Sequence, residues 1–281
     1  DATSGELIAW VKVPAVSSSV DTKLYLDFGN PAAMDQENAA DVWSNGYEAV
    51  LHLQEQGAGI DGEYWDSSGN GHHGTGGGAA GSGLAAGTPG LTTGVFGAAQ
   101  DFDDGGTADR IILNQVNDQT WDQITVQAWI NIDDNGDDRL FGKTWSNNGA
   151  DIVWMLGKTD KPKYRLRTDS DRVDRTEGAT FGNGNWRLFV MTWVPGASGI
   201  VTVYFDGVER ASEAVNGTNL YDDSSLPVIG NNLAGDRGYD GQLQEARLSH
   251  VARSLGWISA EFRNQSSPGT FYTVTNLLVI Q

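Results

Sequence analysis

Cysteine is absent from the 281 residues. A disulfide framework, a thiolate metal site and a cysteine nucleophile are therefore excluded. Basic residues are scarce: 18 Lys and Arg stand against 37 Asp and Glu, a formal charge of −19. A field of that sign repels phosphate backbones, which makes nucleic acid and anionic membrane poor partners. No apolar run approaches the roughly 20 residues with which a helix spans a bilayer. What is present is enough to fold. Hydrophobic residues make up 39%, with 10 Trp, 9 Phe and 8 Tyr, too apolar and aromatic for a disordered polymer. The length suits one large β-sandwich or two smaller domains. The acid excess has two readings: a solvated surface, or carboxylates balanced by bound cations, for which calcium is the natural candidate.

Strand signals dominate. Short runs rich in β-branched and aromatic residues, separated by Gly, Asn and Asp clusters, predict strands over residues 7–13, 23–28, 47–53, 110–113, 124–132, 151–156, 163–168, 186–194, 200–205 and 243–249. In Ile124-Thr-Val-Gln-Ala-Trp-Ile130 the alternation puts Ile, Val and Ala on one face and Thr, Gln and Trp on the other. Asp206-Gly207 after Val201-Thr-Val-Tyr-Phe205 reads as a tight hairpin. Helix is expected only over residues 32–43 and 255–263. The Gly-rich stretch 69–94 lacks the Gly-Lys-Ser/Thr of a phosphate loop and reads as a connection between strands. Many short strands at regular spacing predict an all-β, antiparallel β-sandwich of jelly-roll type with short helices.

Five motifs occur in a set order: Ala49-Val-Leu-His-Leu53, Asp66-Ser-Ser-Gly-Asn-Gly-His-His-Gly74, Gly97-Ala-Ala-Gln-Asp-Phe-Asp103, Thr125-Val-Gln-Ala-Trp129 and Gly241-Gln-Leu-Gln-Glu-Ala-Arg-Leu248. Together they resemble the bacterial laminin-G-like domains of the concanavalin A-like lectin/glucanase superfamily, over roughly residues 47–262. Ahead of them, Thr3-Ser-Gly-Glu-Leu-Ile-Ala-Trp-Val-Lys-Val-Pro14 and Tyr25-Leu-Asp-Phe-Gly-Asn-Pro31 resemble the C-terminal half of a bacterial domain of unknown function that precedes such domains in surface proteins and adhesins. The expected organisation is a β-rich piece over residues 1–46, a laminin-G-like domain over 47–265 and a C-terminal strand extension over 266–281. The opening residues read as a processed or excised start. A β-structure cut in this way leaves strand edges open. Residues 7–13 are expected either to pack on the sandwich or to pair with another chain, and the apolar run 274–280 is a candidate partner strand.

The resemblance implies a structural Ca²⁺. Asp66 and Asn70 in the Gly-rich turn, Glu245 in the late strand and, more weakly, Asp103 are the expected oxygen donors. Gln244-Glu245 stands where relatives often have Asp-Glu, one carboxylate fewer. The alternative is an Asx-turn at Asp66 and an ordinary Glu245. Asp133-Asp-Asn-Gly-Asp-Asp138 starts like an EF-hand loop, but Thr144 occupies the twelfth position, and a solvated acidic hairpin is the better reading. Neighbouring His72 and His73 would point to opposite faces of a strand, which favours a plain loop. His52 reads as a satisfied core residue.

The superfamily makes carbohydrate the expected partner. A sugar needs an aromatic platform beside polar donors, and the candidates are Trp145, Asn147, Asn148, Asp151, Trp154, Tyr164, Arg165 and Arg167. Core packing is the competing role for each aromatic. Glucanases of the superfamily carry Glu-x-Asp-x-x-Glu on one strand, and no such string exists here; Glu177, Glu209 and Glu213 lie in turn-like surroundings. The resulting expectation is a non-catalytic, calcium-stabilised, lectin-like module of a bacterial cell-surface adhesin, outside the cell and binding a cell-surface or matrix glycan. The alternative is a structural subunit that assembles through exposed edge strands.

Overall fold

The computed structural model describes residues 7–78, 84–105, 108–146, 152–178, 180–196, 199–221 and 223–275. Fifteen strands form two antiparallel sheets. Sheet A contains β1 (Tyr47–Leu51), β3 (Gly90–Thr93), β4 (Ala98–Phe102), β6 (Ile124–Ile132), β11 (Arg187–Val194), β12 (Ile200–Phe205), β13 (Val208–Ala214) and β15 (Gly241–Ser249). Its order is β13-β12-β11-β6-β15-β4-β3, with β1 also paired to β15. Sheet B contains β2 (Gly74–Gly76), β5 (Ile111–Leu113), β7 (Asp138–Thr144), β8 (Ile152–Lys158), β9 (Pro162–Arg167), β10 (Arg172–Thr176) and β14 (Pro227–Ile229). Its order is β10-β9-β8-β7-β14-β5-β2. The sequentially distant neighbours in both sheets are those of a jelly-roll sandwich, as expected.

Alternation builds the core between the sheets. Ile124, Val126, Ala128 and Ile130 of β6 point inward to meet Phe141, Trp154, Leu156, Tyr164 and Leu166 of sheet B. Trp129, on the opposite face of β6, belongs to a second cluster with Leu188, Val190, Tyr204 and Ile258. A bulge on β15 preserves the pattern. Gln244 faces Trp129 and Arg247 faces Gln127, so one extra residue is inserted, and Glu245 takes a φ of 55°. That extra residue lets Ala246 and Leu248 point inward while Arg247 points out. Asp206 (φ 53°) and Gly207 (φ 74°) form the expected tight turn between β12 and β13.

The outer face of sheet A is covered. Helix α2 (Leu255–Ser266), capped by Ser254 Oγ on the Trp257 amide, lies across it. Ile258 is fully buried, Phe262 stacks on Trp129 at 5.7 Å, and Gln127 donates to Glu261 at 2.8 Å. From the other side comes the N-terminal segment, with helix α1 (Ala39–Val42). Trp10 packs on Trp43 at 5.5 Å, on Phe96 at 5.8 Å and nearly parallel to His52 at 5.5 Å. Arg247 sits beneath them, its Cζ 4.4 Å from the Trp10 ring centre and 4.9 Å from that of Trp43. Its guanidinium is held by Glu245 and Glu261, and Glu245 also accepts or shares a hydrogen bond with His52 Nδ1 at 2.8 Å.

Several expectations change here. Residues 7–13 pack on the sandwich within the chain, but form no strand. Both edges of β1 are already taken, by β15 and, at Leu51, by Asp66, so Trp10 docks through ring contacts instead of a ladder. Residues 23–28 also form no strand: they meet no partner strand among the described residues, and Tyr25 is 86% exposed. The described residues of the 1–46 piece are thus not β-rich. The helix expected over 32–43 shrinks to α1, capped by Asn38, because the residues before it bury no apolar face that would offset nucleation. Beyond α2, helix α3 (Pro268–Phe271) replaces the start of the expected strand extension, and residues 276–281 lie outside the described residues. The stretch 69–94 contains β2 and β3 as well as connections.

Arg247→Met strands Glu245 as a buried, unmatched carboxylate and is expected to lower unfolding stability by about 3–5 kcal/mol in chemical denaturation. Glu245 also sets a pH dependence. Burial pushes its carboxyl up, but Arg247 and then His52 more than offset this and hold it below its ordinary value. Its contribution is therefore present above the ordinary carboxylate range and lost as pH falls through the folded value. Urea midpoints from about pH 6 to about pH 3 should fall, with a shallower slope in Glu245→Gln.

Candidate functional site

Sheet B has an opposite character. One outward residue from each strand forms a row across it: Thr75, Ile112, Val228, Gly142, Met155, Arg165 and Asp174. No described helix packs on this face. A loop over residues 230–237 folds along β7 instead, through Leu233 N to Thr144 O at 3.0 Å, Ala234 N to Trp145 O at 2.8 Å and Arg139 N to Arg237 O at 3.2 Å. Asn232 shapes this loop by accepting from the Gly235 and Asp236 amides at 2.8 and 3.1 Å.

One concavity adjoins this loop and a second lies at β8–β10. The larger, about 520 Å³, is lined by Arg110, Ile112, Trp145, Asp223, Ser225, Leu226 and Leu233 among others. Trp145 follows directly on β7 and is 57% exposed, a flat apolar surface at the rim. Ser225 is buried and its hydroxyl has no partner among the described residues. Its amide donates to Asp223 Oδ1 at 2.6 Å. An exposed indole beside unsatisfied polar groups offers one surface for the apolar face of a sugar and others for its hydroxyls. The smaller concavity, about 220 Å³, is lined by Ile152, Arg165, Arg167, Arg172, Val173 and Asp174. There Arg165 pairs with Asp174 at 2.8 Å, and Arg167 lies over the Tyr221 ring at 3.4 Å.

The expected sugar-binding residues are therefore split. Trp145 lines the larger concavity, while Arg165 and Arg167 line the smaller one. Asn147, Asn148 and Asp151 lie outside the described residues. Trp154 and Tyr164 are corrected: both are fully buried between the sheets, because the alternation of β8 and β9 turns them inward. Trp154 Nε1 donates to Asp118 Oδ2 at 2.8 Å, and Asp118 Oδ1 takes Lys143 Nζ at 2.5 Å. Arg110, Ile112, Ser225 and Leu233 had no signal in the sequence, since it is the pairing of β14 with both β5 and β7 that gathers them.

The residues expected to hold calcium do not converge. Asp66 Oδ1 accepts from the Val50 and Ser68 amides, both at 2.9 Å. Its Oδ2 accepts from Ser68 Oγ at 2.8 Å and the His72 amide at 2.9 Å. All four acceptor positions are filled by hydrogen-bond donors. Asn70 Nδ2 donates to the Tyr47 and Glu48 carbonyls, each at 3.1 Å. Glu245 lies beyond the other edge of β1, committed to Arg247 and His52. Asp103 accepts from the Gly105 amide at 2.7 Å in an exposed turn after β4. These side chains fit donors, not an ion, and no cluster of metal-ligating side chains occurs among the described residues. The EF-hand-like run meets its cation internally. Lys158 Nζ reaches Asp134 Oδ1 and Asp138 Oδ2, both at 2.5 Å, and the Asp134 and Gly136 carbonyls at 3.2 and 3.4 Å. Even so, burial pushes Asp138 up to about 6. His72 and His73 part company: His72 meets Glu48 at 3.1 Å, and His73 stacks on Trp65 at 4.2 Å.

Asp66→Ala leaves the Val50, Ser68 and His72 amides without an acceptor, while Ser68 Oγ keeps the Glu48 carbonyl, and is expected to cost about 3 kcal/mol of stability. If Asp66 serves donors alone, thermal melting shows the same loss with calcium and with a chelator.

With this geometry in hand, comparison with known proteins gives the following. The sequence profile of the concanavalin A-like lectin/glucanases superfamily matches residues 104–259. No curated protein sequence matches the chain. Among solved structures, the binding domain of Paraclostridial Mosquitocidal Protein 1 superposes with a TM-score of 0.58 at 14% identity, over 79% of this chain and 53% of that one. Domain 4 of AbnA, a GH43 extracellular arabinanase from Geobacillus stearothermophilus, in complex with arabinotriose, superposes with a TM-score of 0.55 at 18% identity, over 76% and 96%. The binding domain of Botulinum Neurotoxin DC in complex with SialylT gives 0.55 at 14% identity, over 80% and 53%. The chain covers about half the length of the toxin binding domains it matches.

Proposed function

The chain belongs to the concanavalin A-like lectin/glucanase superfamily, and on that premise we propose that it is a non-catalytic carbohydrate-binding module using the outer face of sheet B. The observation that carries this reading is the exposed Trp145 at the rim of the larger concavity, on the sheet face that no described helix or N-terminal segment covers. Support comes from the two fold relatives solved as complexes with arabinotriose and with SialylT. A non-catalytic role is supported by the linings. Among the described residues, Asp223 is the one carboxylate lining the larger concavity and Asp174 the one lining the smaller, the latter paired with Arg165. Glycoside hydrolysis takes two facing carboxyl groups, about 5–5.5 Å or about 6.5–9.5 Å apart.

The setting in this reading is outside the cell, on a surface protein that adheres to glycans. The fold relatives include a domain of an extracellular enzyme, and no described helix is long and apolar enough to cross a membrane. A structural subunit is the second reading. It draws on the segment with Val16, Val20, Leu24, Tyr25, Leu26 and Phe28, whose apolar side chains are exposed. Concentration-dependent light scattering or filaments in electron micrographs, with no glycan bound, would favour that reading.

On a glycan array the protein is expected to bind, and Trp145→Ala to weaken binding about tenfold or more through loss of the stacking surface. Because Trp145 is largely exposed, the melting temperature should stay unchanged. Full affinity in Trp145→Ala would place the sugar elsewhere.

A further inference from the structure

We propose that the concavity beside Trp145 takes an acidic glycan, one bearing a carboxylate or sulfate, and that Arg110 recognises its negative charge. This rests on the carbohydrate-binding reading above and names the class of sugar at the same site.

Most buried cations of the chain have a carboxylate partner, and Arg253, which has none among the described residues, donates to the Asn45 carbonyl and Ser249 Oγ and is covered by the Tyr47 and Trp257 rings. Lys143 is matched by Asp118, Lys158 by Asp134 and Asp138, Arg165 by Asp174, and Arg247 by Glu245 and Glu261. Arg110 is half-buried and has no carboxylate partner among the described residues, although acids outnumber bases about two to one in the chain. The adjacent Asp109 points elsewhere, accepting from the Asp103 amide at 3.0 Å. Burial lowers the guanidinium's proton affinity, and no neighbouring charge offsets it. A cation left this way is stabilised by an anion supplied from outside.

The guanidinium is also held in place. Nε donates to the Gly77 carbonyl at 2.5 Å and Nη1 to the Leu233 carbonyl at 3.0 Å. These carbonyls belong to the connection after β2 and to the loop over β7, so two separate segments orient the group. Gly235 approaches closely: a Cβ there would stand 3.0 Å from Nη1, and its φ of 80° suits glycine. Arg110 Nη2 has no partner among the described residues. A planar group fixed by two acceptors, with donor capacity remaining, is arranged for a charge-assisted bond to an oxyanion. The unpartnered Ser225 hydroxyl in the same lining supplies a second polar contact. Asp223, the carboxylate in that lining, is turned toward the Ser225 amide and can accept a sugar hydroxyl.

The test measures affinity by calorimetry for matched pairs: oligogalacturonate against its carboxyl-reduced form, a sialylated oligosaccharide against its desialylated form, and a sulfated oligosaccharide against its desulfated form. At least one acidic member is expected to bind about tenfold tighter than its neutral partner, and more weakly as salt rises. Which pair shows the difference identifies carboxylate or sulfate as the charge. Arg110→Gln should collapse that ratio toward one, and Arg110→Lys should keep part of it, with folding of both checked by circular dichroism. Because the comparison on the unaltered protein needs no variant, misfolding of Arg110→Gln leaves the test intact. Equal or tighter binding of the neutral members overturns the acidic-glycan inference while the carbohydrate reading stands. An undiminished ratio in a folded Arg110→Gln removes Arg110 from the role. Binding of no glycan at all overturns both.

Discussion

Arg247 is the interaction on which the layout of the molecule depends. Its guanidinium, lifted to the outer face of sheet A by the β15 bulge, is gripped by Glu245 from its own strand and by Glu261 from α2, and roofed by Trp10 and Trp43 from the N-terminal segment. Strand, helix and N-terminal segment thus meet at one buried charge. A charge withdrawn from water is tolerable only when all its partners are present, so the site locks strand, helix and N-terminal segment into a single arrangement. The consequence lies on the other side of the sandwich. With one sheet face covered, the outer face of sheet B carries the larger concavity with the exposed Trp145 at its rim.

The same rule of matched charges organises the rest of this acidic protein. The side chains at the positions where the motifs pointed have protein groups as partners. Asp66 is saturated by amides and a hydroxyl and ties the Gly-rich turn to β1, and Asp118 joins Lys143 to Trp154 inside the core. Lys158 fills the acidic loop over 133–138 with its own ammonium group, much as a bound ion would. Arg110 has backbone carbonyls as its partners and, unlike the ring-covered Arg253, lines a concavity. That placement is what gives Arg110 its meaning.

Much of the sandwich was legible along the chain, because a strand with one face in the core must alternate. β6 and β12 have the bounds expected of them, and the inward Ile124, Val126 and Ala128 are where the alternation put them. Strands made of glycine, charge or short runs were not legible. β2 is Gly-Thr-Gly, β10 reads Arg-Val-Asp-Arg-Thr, and β14 is three residues long. They are strands because a neighbour offers a ladder, not because of their own preference. The N-terminal segment errs in the other direction: residues 7–13 and 23–28 have strand composition but pair with no strand among the described residues.

The candidate site divides along the same line. Trp145 could be named from the sequence, since an aromatic beside Asn and Ser in a loop is a surface feature. Trp154 and Tyr164 could not be told from it, because local composition does not say which way a strand residue faces until its neighbours on the sheet are known. The sequence by itself determined an acidic, cysteine-free, antiparallel sandwich whose motifs mark its family. Only the tertiary structure decided which sheet is covered, which carboxylates are already satisfied, and that Arg110, Ser225 and Trp145 share one concavity. The physical reason is that alternation and composition act along the chain, whereas burial and charge pairing are set between strands that the chain keeps far apart.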